Sequence, residues 1–203
     1  MPHFRHEQRH GAPALPVAGI DEAGRGALAG PVTAAAVIFP GGIWPAGLDD
    51  SKKLKPSRRE HLAETIRTMA VVAVAHIDVP TIDAVNILQA TLLAMTRACR
   101  SLCPLPHHVL IDGNRGPDDL PCPATTVIGG DRDSVSIAAA SVIAKVERDA
   151  VMRALDCRYP DYGWIRNKGY GTRDHLAALN RIGPTSHHRT SFAPVRTALA
   201  KSC

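Results

Sequence analysis

No stretch of the 203 residues is apolar for long enough to cross a bilayer. The polar start, with His3, Arg5, His6, Arg9 and His10, lacks the apolar run of a secretory signal. These two absences imply a cytoplasmic protein. Paired cysteines are missing as well. Cys99, Cys103, Cys122, Cys157 and Cys203 are scattered and odd in number, without the CxxC spacing that builds a zinc site, so they read as reduced thiols. No internal repeat is visible.

What is present suits one globular core. A content of 45% hydrophobic and 21% charged residues is that of a single folded domain. The net charge of +5 favours a polyanionic partner, although many soluble enzymes are as basic. Residues 1–16 have no hydrophobic periodicity and are expected to be a flexible tail. From residue 17 short β-rich runs recur at 17–21, 32–39, 71–79, 108–112 and 124–128. Helical patterns lie between them: Ser57 and Glu60 form a capping box before Leu62, Ile66 and Met69, and Thr81 precedes one apolar stripe running to Leu102. A third helix is expected from Asp133 or Ser134 to about Asp156. Its Ala138, Ala139, Ala140 and Ser141 are small enough to press closely on a sheet. Strand and helix thus alternate as in an α/β protein. Residues 17–158 read as the catalytic domain, and 159–203 as an irregular segment, with a helix at 173–181, packed on the same domain and contacting substrate.

Four acids follow apolar strands. Asp21 and Glu22 close the first, Asp112 ends Val-Leu-Ile, and Asp131 follows Val-Ile-Gly-Gly. Taken singly each is an ordinary strand-end or turn residue, as Asp112-Gly113 illustrates. Taken together they form a set of carboxylates that repel one another beside buried apolar groups unless a cation lies between them. Oxygen-only ligation suits Mg²⁺ or Mn²⁺ rather than zinc. Two such ions about 3.5 to 4 Å apart would serve the attacking and leaving oxygens of a phosphodiester cleavage. Neighbouring strand residues point to opposite faces, so a bend at Glu22, made feasible by Gly24, is expected.

The run Gly-Ile-Asp-Glu-Ala-Gly-Arg-Gly-Ala-Leu-Ala-Gly-Pro at residues 19–31 resembles the N-terminal signature of the ribonuclease HII family, and Asp-Ser-Lys-Lys-Leu at 50–54 continues it. Later blocks follow in the family's order: Ile-Asp-Gly-Asn at 111–114, Gly130-Asp131, Ser-Ile-Ala-Ala-Ala-Ser at 136–141, Arg148-Asp149, Lys-Gly-Tyr-Gly-Thr at 168–172, and His188-Arg189 with Ser191-Phe192. The resemblance implies a ribonuclease H-like fold with a mixed five-stranded sheet flanked by helices. It implies Asp21, Glu22, Asp112 and Asp131 as catalytic metal ligands for two Mn²⁺ or Mg²⁺ ions. The implied activity is hydrolysis of the RNA strand of RNA–DNA hybrids, and cutting 5′ of ribonucleotides embedded in duplex DNA, as in ribonucleotide excision repair. The ends produced would be 5′-phosphate and 3′-hydroxyl. A monomer is expected. Asp149, interior to the third predicted helix beside Arg148 and Arg153, reads as a structural ion pair or a cap.

Telling RNA from DNA at one nucleotide requires contact with the 2′-hydroxyl. Gly24, Arg25 and Gly26 sit directly after the first acids, where glycine lets the main chain approach a ribose; the resemblance gives them that role. It also implies that Tyr170 packs on the deoxyribose 3′ of the ribonucleotide, in a segment with Lys168 and Thr172. Lys52, Lys53, Lys55, Arg58 and Arg59 form a basic cluster at a predicted helix start, suited to phosphate. The chain departs from the family at Ala27, where proline is common, at Gly129, where lysine is common, and at Glu147, where threonine is usual. Three rivals make distinct demands. Ribonuclease HIII carries an N-terminal domain for which 16 residues are too few, a noncatalytic hybrid-binding protein needs no acids, and an integrase-like nuclease needs no ribose-reading loop.

Overall fold

The computed structural model describes residues 1–201, so Cys203 lies outside the described residues. After a short helix, α1 (Arg5–Arg9), come strands β1 (Val17–Ala23) and β2 (Val32–Ile38), helix α2 (Pro56–Met69) and strand β3 (Val71–Ile77). Helices α3 (Val79–Val85) and α4 (Ile87–Arg100) lead to strands β4 (His108–Asp112) and β5 (Ala124–Val127). The chain closes with α5 (Gly130–Asp133), α6 (Val135–Arg158), α7 (Trp164–Asn167), α8 (Arg173–Ile182) and α9 (Ala193–Lys201). The strands form one sheet in the order β3-β2-β1-β4-β5, antiparallel from β3 to β1 and parallel from β1 to β5. This is the mixed five-stranded sheet that the sequence leads one to expect.

Both faces are covered. Ala18, Ile20, Val109 and Ile111 pack with Ala94, Met95 and Cys99 of α4, while Ala35 and Val37 pack with α2 and α6 on the other face. Helix α6 lies very close to β1. A Cβ at Gly19 would stand 2.2 Å from the carbonyl carbon of Ser136, so only glycine admits this approach. No helix among the described residues is long and apolar enough to cross a membrane.

Local chemistry departs from expectation in several places. Helix α2 starts with Pro56 in its first turn after Lys55 and has no side-chain cap, so the Ser57–Glu60 box does not form; proline's fixed φ and missing N–H suit that position. The stripe from Thr81 to Leu102 is two helices. Asn86, at φ 70, breaks it, and its side chain accepts the N–H groups of Leu88 and Gln89 to start α4. Residues 1–16 are not a free tail. Phe4 and Glu7 are buried, and Glu7 Oε1 accepts from the Ser134 hydroxyl at 2.6 Å, the Ser136 N–H at 2.9 Å and the Ser136 hydroxyl at 2.7 Å. A carboxylate thus caps the N-terminus of α6, where the helix dipole favours negative charge.

Candidate active site

Strand β1 delivers Asp21 and Glu22 to the end of the sheet where β4 ends in Asp112. The expected bend at Glu22 is absent. The ladder with β2 runs unbroken through Glu22, opposite Ala34, to Ala23, opposite Thr33, and the chain turns only at Gly24, φ 96. A regular strand therefore sends the two side chains to opposite faces: Asp21 to the α6 side beside Ser141, and Glu22 to the α4 side beside Thr91 and Met95. They remain close in effect because both stand at the sheet's rim, where Asp112 faces each of them.

Asp131 arrives from the other direction, in the first turn of α5, and its backbone N–H reaches Asp112 Oδ1 at 3.4 Å. The four acids repel. Asp21 is 5% exposed, and its carboxyl is pushed well above the usual range by burial and then by Glu22 and Asp112; the Glu22 N–H, 2.7 Å from Asp21 Oδ1, and Ser141 pull the other way. Glu22 is raised by burial and Asp112 against the pull of Arg25, its ion-pair partner at 3.1 Å. Asp131 is raised by burial, Asp112 and Asp50, with Lys52, 3.8 Å away, and Arg132 opposing. Burial and like charge together mark a place that favours added positive charge. Among the described residues no three His, Cys, Asp or Glu side chains stand close enough together to hold a metal ion as they are; Asp21 and Glu22 instead border a cleft.

That cleft, of about 550 Å³, is lined by Asp21, Glu22, the loop Gly24, Arg25 and Gly26, and Tyr170. Lys52 and Lys145 add positive charge to it, and Ser51 and Ser141, whose hydroxyls are 2.7 Å apart, form part of its wall. Arg25 and Gly26 are exposed, and open space surrounds Gly26. Asp112 and Glu22 also line an adjoining hollow with Arg25.

Three sequence-predicted contacts lie elsewhere. Lys53 turns back to Asp49 at 2.9 Å, Lys168 donates to the Ile165 carbonyl at 2.6 Å, and Thr172 Oγ1 caps α8 by accepting the His175 N–H. Arg59, counted with the basic cluster, is buried, pairs with Asp149 at 3.5 Å and donates to the carbonyls of Ser51 and Leu54. Asp149 also holds Lys145 at 2.7 Å, so its ion pairs run to Arg59 and Lys145, not to Arg148 or Arg153.

Sequence reasoning gave no role to two buried arginines. Arg148 donates to the carbonyls of Pro31, Lys168 and Ala29, and Arg189 to those of Gly30 and Arg25. Neither ion-pairs with a carboxylate among the described residues. Five-donor guanidinium groups here staple the loop after β1 to the C-terminal segment. A Cβ at Gly24 would lie 1.9 Å from Arg148 Nε, which gives that glycine a packing reason besides its φ. The signal was present in the Arg148-Asp149 and His188-Arg189 blocks, but nothing in a sequence says that an arginine will serve only carbonyls.

A family model for ribonuclease HII matches residues 18–195. The chain belongs to the ribonuclease HII family. It is 53% identical over 200 residues to ribonuclease HII of Parvibaculum lavamentivorans, covering 98% of this chain and 74% of that one. Among solved structures it resembles the ribonuclease HII in the PCNA:RNase HII complex of Archaeoglobus fulgidus, with TM-score 0.72, 27% identity, and 88% and 95% of the two chains covered. It also shares the fold of Bst-RNase HIII in complex with Mn²⁺, with TM-score 0.74, 20% identity, and 95% and 72% covered. Members of the ribonuclease HII family hydrolyse the RNA of RNA–DNA hybrids and cut at ribonucleotides within DNA, and this chain is an enzyme of that class.

Proposed function

We propose that Asp21, Glu22, Asp112 and Asp131 hold two divalent ions, Mg²⁺ or Mn²⁺, and that the loop Gly24, Arg25 and Gly26 with Tyr170 selects the ribonucleotide beside them. The observation that carries this is the gathering of four acids at one sheet rim, with Asp112 repelling the other three and Asp21 and Asp131 buried, next to a cleft that Asp21 and Glu22 line together with the loop and Tyr170. An oxygen-only donor set in which Asp112 helps to raise the proton affinity of Asp21, Glu22 and Asp131 fits a hard dication. The manganese reported for the ribonuclease HIII relative agrees with that fit. Bound there, such ions would polarise the scissile phosphate and activate water for attack.

The chain's own groups do the rest. Lys52, exposed and facing Asp131, and Arg25, on Glu22, are placed to meet phosphate oxygens. The main chain of Gly24, Arg25 and Gly26 approaches the ribose 2′-hydroxyl, while Tyr170, 37% exposed, packs on the deoxyribose that follows. Cutting then falls 5′ of the ribonucleotide. One chain supplies every part, so a monomer suffices.

Chelation tests this reading. Excess EDTA should stop cleavage of a hybrid duplex while fluorescence anisotropy still detects binding of that duplex; undiminished cleavage would refute it.

A further inference from the structure

Two buried histidines lie behind Tyr170, outside the acids and the loop. Trp164, His175 and His188 are almost fully buried, and the imidazoles meet Nε2 to Nε2 at 3.1 Å. Their protons are fixed by groups that can act only one way. The Thr185 N–H can only donate, and it reaches His188 Nδ1 at 3.0 Å, so that nitrogen carries the lone pair and His188 bears its proton on Nε2. The Trp164 Nε1–H can only donate, and it reaches His175 Nε2 at 3.1 Å, so His175 bears its proton on Nδ1. That proton points at the Tyr170 carbonyl, 2.9 Å away. Every assignment is consistent with the others: His188 Nε2–H shares the His175 lone pair with Trp164.

The segment so held needs holding. Lys168 and Gly169 have φ of 52° and 81°, and the next carbonyls are taken one by one: Lys168 O by Arg148, Gly169 O by the Leu28 N–H, and Tyr170 O by the Thr172 N–H and His175. Arg148 and Lys145 lie over the Tyr170 ring at 5.4 and 5.8 Å, and among the described residues His175 is the side chain that donates to the Tyr170 carbonyl.

We propose that His175, locked as the Nδ1–H tautomer by Trp164 and His188, is a positioning residue that sets the Tyr170 ring at the cleft wall and thereby sharpens recognition of the RNA-to-DNA junction. This rests on the reading that Tyr170 packs against the deoxyribose. His175 touches no substrate; it acts through the Tyr170 main chain. Both imidazoles are kept neutral by burial, and for His188 also by His175 and His187, which agrees with the assignment.

The test compares His175→Asn with His175→Gln. The asparagine amide stands where Nδ1 stood and can still donate to the Tyr170 carbonyl; the glutamine amide reaches the Nε2 position and leaves that carbonyl with the Thr172 N–H alone. Cleavage of a duplex with one ribonucleotide and of a full RNA strand on DNA is measured for both, beside Tyr170→Ala. Displacing a reacting group by about 1 Å can cost on the order of 100-fold. The glutamine variant should therefore reproduce the substrate profile of Tyr170→Ala, with a 10- to 100-fold loss, as an order of magnitude, on the single-ribonucleotide duplex, and the asparagine variant should stay close to the parent. In ¹⁵N NMR of the unmodified protein, His175 should appear as the Nδ1–H tautomer and His188 as Nε2–H. Equal behaviour of the two variants, a glutamine profile unlike that of Tyr170→Ala, or an Nε2–H tautomer at His175 would each overturn the proposal. The underlying reading has its own failure: Tyr170→Ala losing equally on both duplexes removes the sugar contact yet leaves the tautomer and variant comparison standing. A glutamine variant that fails to fold leaves the decision to the NMR tautomers.

Discussion

The backbone N–H of Asp131 points to Oδ1 of Asp112 across 3.4 Å, tying the first turn of α5 to the end of β4. This contact brings the acid furthest along the chain to the other three. Asp112 is also the one carboxylate that pushes on Asp21, Glu22 and Asp131 alike. A charge shared in this way makes the acids a unit, so removing one disturbs them all.

Asp21→Asn should therefore abolish turnover with little change in volume. Loss of an outer partner of a metal ligand typically costs about 10- to 100-fold, and loss of a ligand should exceed that. Substrate affinity, measured by anisotropy, should stay near the parent value. Parent-like turnover in Mg²⁺ would contradict the assignment of Asp21.

The two neighbouring lysines should behave differently. Lys52 faces the cleft and Lys53 is engaged by Asp49. In a plot of log affinity against log salt, Lys52→Ala should lower the slope by about 1, the signature of one lost phosphate contact. Lys53→Ala should leave the slope unchanged. Equal effects would mean that the ion pair seen at Lys53 gives way to substrate.

Much of this was legible in the chain. The strands follow from runs such as Val-Thr-Ala-Ala-Ala-Val-Ile, because β-branched and small residues buried on both faces have few other uses. The grouping of Asp21, Glu22 and Asp112 was legible too, since strand ends converge in a sheet. What stayed hidden depends on tertiary partners. The straight course of β1 through Glu22 reflects its pairing with β2, and the break at Asn86 needs a residue to accept a positive φ for the sake of packing. Glu7 gave no hint, because its partners Ser134 and Ser136 lie more than 120 positions away. Gly129 adopts φ 69 ahead of α5, a left-handed turn that glycine suits.

Glu7 carries a stability prediction. Its hydrogen bonds are buried and charge-assisted, a class worth about 1.5–3 kcal/mol each. Glu7→Ala should lower the unfolding free energy from a urea titration by at least one such bond, and Glu7→Gln by less, since an amide oxygen still accepts. A change below about 0.5 kcal/mol, typical of a surface position, would show that the N-terminal segment is not docked in solution.

Acid should loosen the C-terminal segment through His188. Burial, then His175 and His187, bring its imidazole down to about 3, opposed in part by a backbone hydrogen bond at Thr185. Tyr162 and Trp164 close the rest of its surroundings with their rings. An unfolded histidine titrates near 6.5, so between that pH and about 3 the unfolded chain binds a proton that the folded chain refuses. Stability is therefore full above 6.5 and falls as pH drops through that window. The melting temperature should decline from pH 7 to pH 4, and His188→Gln should flatten the decline. An unchanged slope in the variant would assign the acid sensitivity elsewhere.

The most direct measurement uses three duplexes of one sequence, with a single ribonucleotide, with a full RNA strand, and with DNA only, each incubated with Mg²⁺, with Mn²⁺ and with neither. The four acids, the loop at Gly24 and Tyr170 predict metal-dependent cleavage of the first two, the single-ribonucleotide duplex being cut once, 5′ of the ribose, to leave a 3′-hydroxyl. Cleavage of the DNA-only duplex, or cleavage that persists without a divalent ion, would contradict the account.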